Sequence, residues 1–199
     1  MKELLKEALK KENINISTQK LDKLALFGEK LLWYNQTHNI TGSKSKQSIV
    51  ENIIDSLIPT TFINEPQTLL DVGTGAGFPG LILSIIWEKS QVTLAEPINK
   101  RAAFLRFISI ELELKNVHIF KNRVELLQAK PFSLITSRAV TDTKLLLILT
   151  KNVSNDKTQY LFYKGSRVFD EILELKSKLK YDIVTRNKRN YLWIKPNDS

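Results

Sequence analysis

The stretch Leu69-Leu70-Asp71-Val72-Gly73-Thr74-Gly75-Ala76-Gly77-Phe78-Pro79-Gly80 gathers four of the chain's seven glycines directly behind a short apolar run. Each glycine costs ~0.5–1 kcal/mol in chain entropy relative to alanine, so a cluster of them needs a reason. Glycine admits positive φ and lets a ligand approach the backbone closely. Pro79 suits the first position of a following helix, whose free N–H groups would then point at the loop. The stretch reads as strand, nucleotide-binding turn and helix.

Outward from this turn, Thr68 to Val72, Gln91 to Ala95, Asn116 to Phe120, Phe132 to Thr136 and Gln159 to Tyr163 read as strands, with helical patterns at 79–89, 98–113, 142–153 and 167–179. Such alternation predicts an α/β fold with a parallel sheet covered on both faces. Tyr181 to Thr185 and Tyr191 to Ile194 are separated only by Arg186-Asn187-Lys188-Arg189-Asn190, which predicts an antiparallel hairpin. A mostly parallel, Rossmann-like sheet of seven strands ending in that hairpin is the order of the class I methyltransferase fold. Upstream, Ser17 is a candidate N-cap for a helix to residue 35 carrying Leu21, Leu24, Ala25, Gly28, Leu31 and Leu32 on one face, with further helices over 1–11 and 46–62. Residues 1–65 therefore form a helical extension and 66–199 a methyltransferase domain.

Composition narrows the chemistry. A chain of 199 residues can bury one sizeable core. The absence of cysteine excludes disulfides, cysteine-based metal sites and thiolate nucleophiles, and the two histidines, His38 and His118, stand in unrelated contexts, so no metal is expected. Without a long apolar run or a secretory leader, the expected location is the cytoplasm. The net charge of +9 favours a polyanionic partner. It is unevenly spread: residues 1–65 hold nine basic and eight acidic side chains, residues 66–199 hold twenty-one and thirteen.

Two cofactor classes compete for the glycine loop. Gly75 to Gly80 matches the dinucleotide pattern G-x-G-x-x-G, and Glu96 ends the second strand at the spacing of a ribose-binding acid. Against NAD, Asp71 stands two residues before the first glycine and completes the D-x-G-x-G-x-G of methyltransferases, where the acid serves the cofactor's methionine end. The roughly 120 residues after the loop finish one sheet but supply no second domain. S-adenosyl-L-methionine outweighs NAD on these grounds, and a glycine turn without a ligand is the bland alternative.

The chain also resembles the ribosomal RNA small subunit methyltransferase G family, the glucose-inhibited division protein B proteins, along nearly its whole length. The resemblance rests on Leu32-Trp33-Tyr34-Asn35 with His38-Asn39-Ile40-Thr41, on Ile54-Asp55-Ser56-Leu57, on the glycine loop ending in Phe78-Pro79-Gly80, and on Glu96 with Lys100-Arg101 and Phe104-Leu105. Asn122-Arg123-Val124-Glu125, Thr136-Ser137-Arg138-Ala139-Val140 and Tyr163-Lys164-Gly165 extend it. It implies a cytoplasmic enzyme that methylates N7 of one guanine in 16S ribosomal RNA, acting on that RNA or on the small ribosomal subunit, as a monomer. It further implies that Gly73, Gly75 and Phe78 line the cofactor, that Val124 and Glu125 flank its adenine, and that Arg138 sits at the reacting end as a catalytic residue that also touches the cofactor. Thr74, Val124 and Ser133 depart from the family's usual Ser, Ala and Asp.

Guanine N7 offers a free lone pair and loses no proton on methylation, so its attack on a sulfonium methyl needs alignment and no general base. The Asn/Asp-Pro-Pro-Tyr/Phe element of amino-group methyltransferases is absent, and Thr136-Ser137-Arg138-Ala139 takes its place. Candidate phosphate contacts are Lys100, Arg101, Arg106, Arg123 and the hairpin residues Arg186, Lys188 and Arg189. Competing bland readings make Trp33 and Tyr34 packing residues, Asn35, His38 and Asn39 caps of the preceding helix, and Asp55 and Ser56 a tie between the extension and the sheet. Other methyltransferases, and a noncatalytic nucleotide-binding module that docks on RNA, remain as alternatives; cofactor turnover separates the module from the enzymes.

Overall fold

The computed structural model describes residues 1–175, 179–187 and 189–196. Strands β1 (Thr68–Val72), β2 (Gln91–Ala95), β3 (Val117–Phe120), β4 (Leu134–Arg138) and β5 (Gln159–Lys164) are mutually parallel. Strand β7 (Arg189–Ile194) is antiparallel both to β5 and to β6 (Tyr181–Arg186), giving the order β3-β2-β1-β4-β5-β7-β6. The order reverses between β1 and β4, and the crevice beyond their carboxyl ends is where open α/β sheets bind ligands.

Side chains alternate across this sheet. Leu69, Leu94, Leu134 and Leu161 enter one core, and Leu70, Ala95, Ile135 and Phe162 enter the other, which is why the central strands read as unbroken apolar runs. The first core contains α4 (Gly80–Ile86) and α5 (Asn99–Glu111), and also the buried residues of α1 (Lys2–Lys11), α2 (Thr18–His38) and α3 (Lys46–Leu57), among them Leu5, Phe27, Ile49 and Ile53. The N-terminal helices thus share their apolar interior with the sheet. The second core is closed by α6 (Thr143–Leu149) and α7 (Val168–Glu174).

Ser17 caps α2 as expected, its hydroxyl accepting from the Lys20 N–H at 3.3 Å. Other boundaries differ from the sequence reading. Helix α2 runs on to His38, so Asn35 lies inside it, and its Oδ1 accepts from Ile40 and Thr41 at 2.8 and 2.9 Å to fasten the following loop. The helix expected over 46–62 ends at Leu57 and continues as a 3-10 turn, Ile58–Thr61, where Pro59 withholds a backbone donor. The helix expected over 142–153 likewise ends at Leu149, with a 3-10 turn over Lys151–Val153. Strand β4 begins two residues late and ends on Arg138. Positions 176–178 of the expected 167–179 helix, and Lys188 in the hairpin turn, lie outside the described residues. Among the described residues no helix is long and apolar enough to cross a membrane, and no cluster of His, Asp or Glu suits a metal ion.

Candidate functional site

The glycine loop leaves β1 with Gly73, Gly75 and Gly77 all at positive φ, so the chain doubles back over the end of the strand before α4 begins at Gly80. A β-carbon on Gly75 would meet nothing within 4 Å, which leaves an open cradle above the loop. At Gly80 the reverse holds: a β-carbon would fall 2.5 Å from Asp71 Cβ and 2.6 Å from its Oδ2. Only glycine lets the Gly80 N–H donate to that oxygen at 2.7 Å. Asp71 thereby anchors the loop from beneath. Burial pushes its carboxyl up to about 6, because a charged carboxylate loses its hydration there, against the pull of the neighbouring Thr74 hydroxyl, the Gly80 N–H and Arg138. Its Oδ1 and the Thr74 hydroxyl are buried near each other, but neither makes a hydrogen bond of good geometry among the described residues.

Glu96 follows β2 and is nearly inaccessible to solvent. Its Oε2 accepts from the Gly75 N–H at 2.8 Å and its Oε1 from the Ile98 N–H at 2.9 Å, so one carboxylate ties the glycine loop to the next crossover. Each oxygen keeps a second lone pair for a ligand hydroxyl. Beyond β3, Val124 is buried and Glu125 exposed on a 3-10 turn, Val124–Leu126. An open cradle, a hydroxyl-accepting carboxylate and an unpartnered buried carboxylate oxygen fit a nucleoside joined to an ammonium-bearing tail.

At the end of β4 the hydroxyls of Thr136 and Ser137 donate to Leu161 O and Val72 O, at 2.8 and 3.0 Å. Arg138 turns inward. Its guanidinium lies 4.9 Å from the centroid of the Phe78 ring, and its Nη1 donates to Asn52 Oδ1 at 2.9 Å and Asp55 Oδ2 at 3.1 Å on α3. The next residue, Ala139, has φ +57°, and Val140 then covers Gly73. Lys164, at the end of β5, steadies this crossover by donating to Thr141 O at 3.0 Å and to Glu171 Oε2 at 2.8 Å. Burial works against the Glu171 charge, but the bonds from Lys164 and Thr143 win and hold its carboxyl below the usual range.

The structure therefore brings Asp71, Gly73, Gly75, Phe78, Glu96 and Arg138 together around one loop, with Val124 and Glu125 on the turn after β3. The basic residues scatter. Lys100 Nζ and Arg101 Nε donate to Asn39 O and Ile40 O at the end of α2, Arg189 pairs with Asp55, and Arg106, Arg123 and Arg186 are exposed. Asp55 and Ser56 do tie the helices to the sheet: Tyr191 donates to Asp55 Oδ1 at 2.8 Å and Tyr163 to Ser56 O at 2.9 Å. Trp33 is 61% exposed, with its ring centroid 6.3 Å from those of Tyr34 and Phe107. Sequence reasoning missed Asn52, because its partner Arg138 stands 86 positions away, and it missed Glu171 as the partner of Lys164, because the pair spans the turn between β5 and α7 and shares no single helical or strand period.

Sheet order, switch-point crevice and D-x-G-x-G-x-G loop define a class I S-adenosylmethionine-dependent methyltransferase. A methyltransferase from Aquifex aeolicus, solved as S-adenosylmethionine-dependent, superposes with a TM-score of 0.61 at 18% identity, covering 75% of this chain and 93% of that one. The family model for rRNA small subunit methyltransferase G matches residues 20–192, and the chain belongs to that family. The protein of that description from Wolinella succinogenes is 44% identical over 189 residues (95% of this chain, 96% of that one), and the one from Aliarcobacter butzleri is 41% identical over 192 residues (96% and 98%).

Proposed function

We propose that the chain transfers the methyl group of S-adenosyl-L-methionine to N7 of a guanine in 16S ribosomal RNA. The observation that carries this reading is the end of β4, where Thr136 and Ser137 have their hydroxyl protons committed to backbone carbonyls and the next side chain is a cation. A nucleophile that must lose a proton finds no acceptor on that strand, whereas guanine N7 needs none. When bound, the cofactor supplies an electrophilic sulfonium methyl. The protein's part is alignment, worth roughly 7–11 kcal/mol in well-oriented systems.

Glu96 would accept the ribose hydroxyls, Gly73, Gly75 and Phe78 would line the loop side, and Val124 and Glu125 would flank the adenine. Asp71 would act at the methionine end, supported by its unpartnered oxygen. Arg138 keeps Nε and Nη2 free of hydrogen bonds among the described residues, so its remaining donors suit the reacting end, where guanine O6 lies beside N7. N7 is hidden in the deep groove of A-form RNA, so the target guanine belongs to a loop or irregular helix. The working unit is a monomer in the cytoplasm, with residues 1–65 as the helical extension and 66–199 as the methyltransferase domain.

Incubation of 16S RNA and of small subunits with the protein and labelled cofactor tests the reading. Label mapping to N7 of one guanine is expected; label on an exocyclic amine would overturn it. S-adenosylhomocysteine should raise the melting temperature and NAD should not.

A further inference from the structure

Arg138 belongs to the sheet, but both hydrogen bonds on its guanidinium come from α3, in the helical extension. Asp55 Oδ2 takes Nη1 at 3.1 Å and Asn52 Oδ1 takes the same nitrogen at 2.9 Å, while the Phe78 ring of the glycine loop packs beside the guanidinium at 4.9 Å. The pair is well shielded, with side-chain exposures of 14% for Arg138 and 16% for Asp55. Asp55 is itself fixed from its other oxygen, which accepts from Tyr191 Oη at 2.8 Å and Arg189 Nε at 3.1 Å. A carboxylate gripped on one oxygen by the last strand and gripping an arginine with the other can set the direction of that arginine. Asn52 is held too, its amide nitrogen donating to Ser43 Oγ at 2.7 Å and Ser48 O at 2.9 Å.

We infer that Asp55 is a positioning residue for methyl transfer: through one oxygen, and assisted by Asn52, it holds Arg138 by a single nitrogen against Phe78 and leaves the other guanidinium donors for the substrate or cofactor. The inference deepens the proposed function and rests on Arg138 standing at the reacting end. It makes the helical extension part of the alignment machinery. An arginine left to its rotamers would keep its charge but lose its direction, and the cost of re-aiming it would fall on the transfer step rather than on binding.

The test compares wild type, Asp55→Ala, Asp55→Asn, Arg138→Ala and the double variant Asp55→Ala/Arg138→Ala by single-turnover transfer of total label at saturating RNA and cofactor, alongside cofactor affinity and melting temperature. Asp55→Ala should slow transfer ~10- to 100-fold with cofactor affinity within about two-fold of wild type, and Asp55→Asn, which keeps an acceptor in place, should slow it less. The double variant should be no slower than Arg138→Ala alone, because a residue acting through a partner has nothing to add once the partner is gone. Tyr163→Phe removes a different bridge across the same junction and should lower the melting temperature with the rate kept. Losses that multiply in the double variant, or an Asp55→Ala rate equal to wild type, would overturn the inference. Rates are scored on total label, so a methyl group found at an atom other than N7 would refute the proposed function without touching this comparison.

Discussion

Asp71 offers a measurable pH dependence. It is fully buried, and that burial raises its carboxyl from 3.8 to about 6. The folded protein therefore holds the proton more tightly than the unfolded chain. Below about pH 3.8 both states are protonated and the group imposes no penalty. Between 3.8 and about 6 the unfolded chain ionises first and stability falls, and above that window the loss is complete. A gap of about two units at about 1.4 kcal/mol each amounts to about 3 kcal/mol. Asp71→Asn keeps an acceptor for the Gly80 N–H and removes the titration. Urea denaturation of both proteins without cofactor, from about pH 4.5 to about pH 7.5, should find the variant gaining about 2 kcal/mol on wild type across that range. A constant difference would mean that Asp71 keeps its hydration in the folded state, and the account of the loop's anchor would fail with it.

Gly80→Ala should destabilise the protein by ~2–4 kcal/mol, since the new methyl overlaps Asp71 and breaks its bond to the Gly80 N–H, with the melting temperature dropping roughly 2–4 °C per kcal/mol; a shift under about 2 °C would contradict it. Glu96→Ala should weaken cofactor binding by ~1–3 kcal/mol while the far-UV circular dichroism is unchanged, and unaltered calorimetric affinity would confine Glu96 to its two backbone bonds. Arg138→Ala should slow single-turnover transfer more than it weakens RNA retention on filters, and the opposite pattern would make Arg138 a phosphate contact. RNA affinity should fall by about 0.7–0.9 logarithmic units per phosphate contact for each tenfold rise in salt while S-adenosylhomocysteine affinity barely moves; a salt-insensitive RNA interaction would sink the polyanion argument.

Strands β1 and β2 were legible to the residue, at 68–72 and 91–95, because each is an apolar run closed by a glycine or an acid. The sequence pattern sets strand β4 two residues early because Ser137 and Arg138 do not look like core, although they pair with Phe162 and Tyr163 of β5. Polar side chains at the carboxyl end of a parallel strand belong to the site, so the site itself blurred the boundary. The polarity of Asn35 places it after the helix in the sequence pattern, whereas the helix continues through it and its amide serves a loop five and six residues on. The glycine loop and Glu96 announce themselves locally. Arg138 was visible as a residue but its posture was not, because Asn52 and Asp55 stand 86 and 83 positions away.

That junction also sets an order in time. Tyr191 follows Asp55 by 136 residues, and at ~5–20 residues per second a ribosome needs roughly 7–27 s to add them. During that interval the nascent chain already contains its glycine loop and, later, its arginine, while the carboxylate that aims the arginine still lacks the tyrosine that steadies it. The Asp55 carboxylate therefore acquires its partners Tyr191 and Arg189 only after β7 has been synthesised, well after the glycine loop and β4.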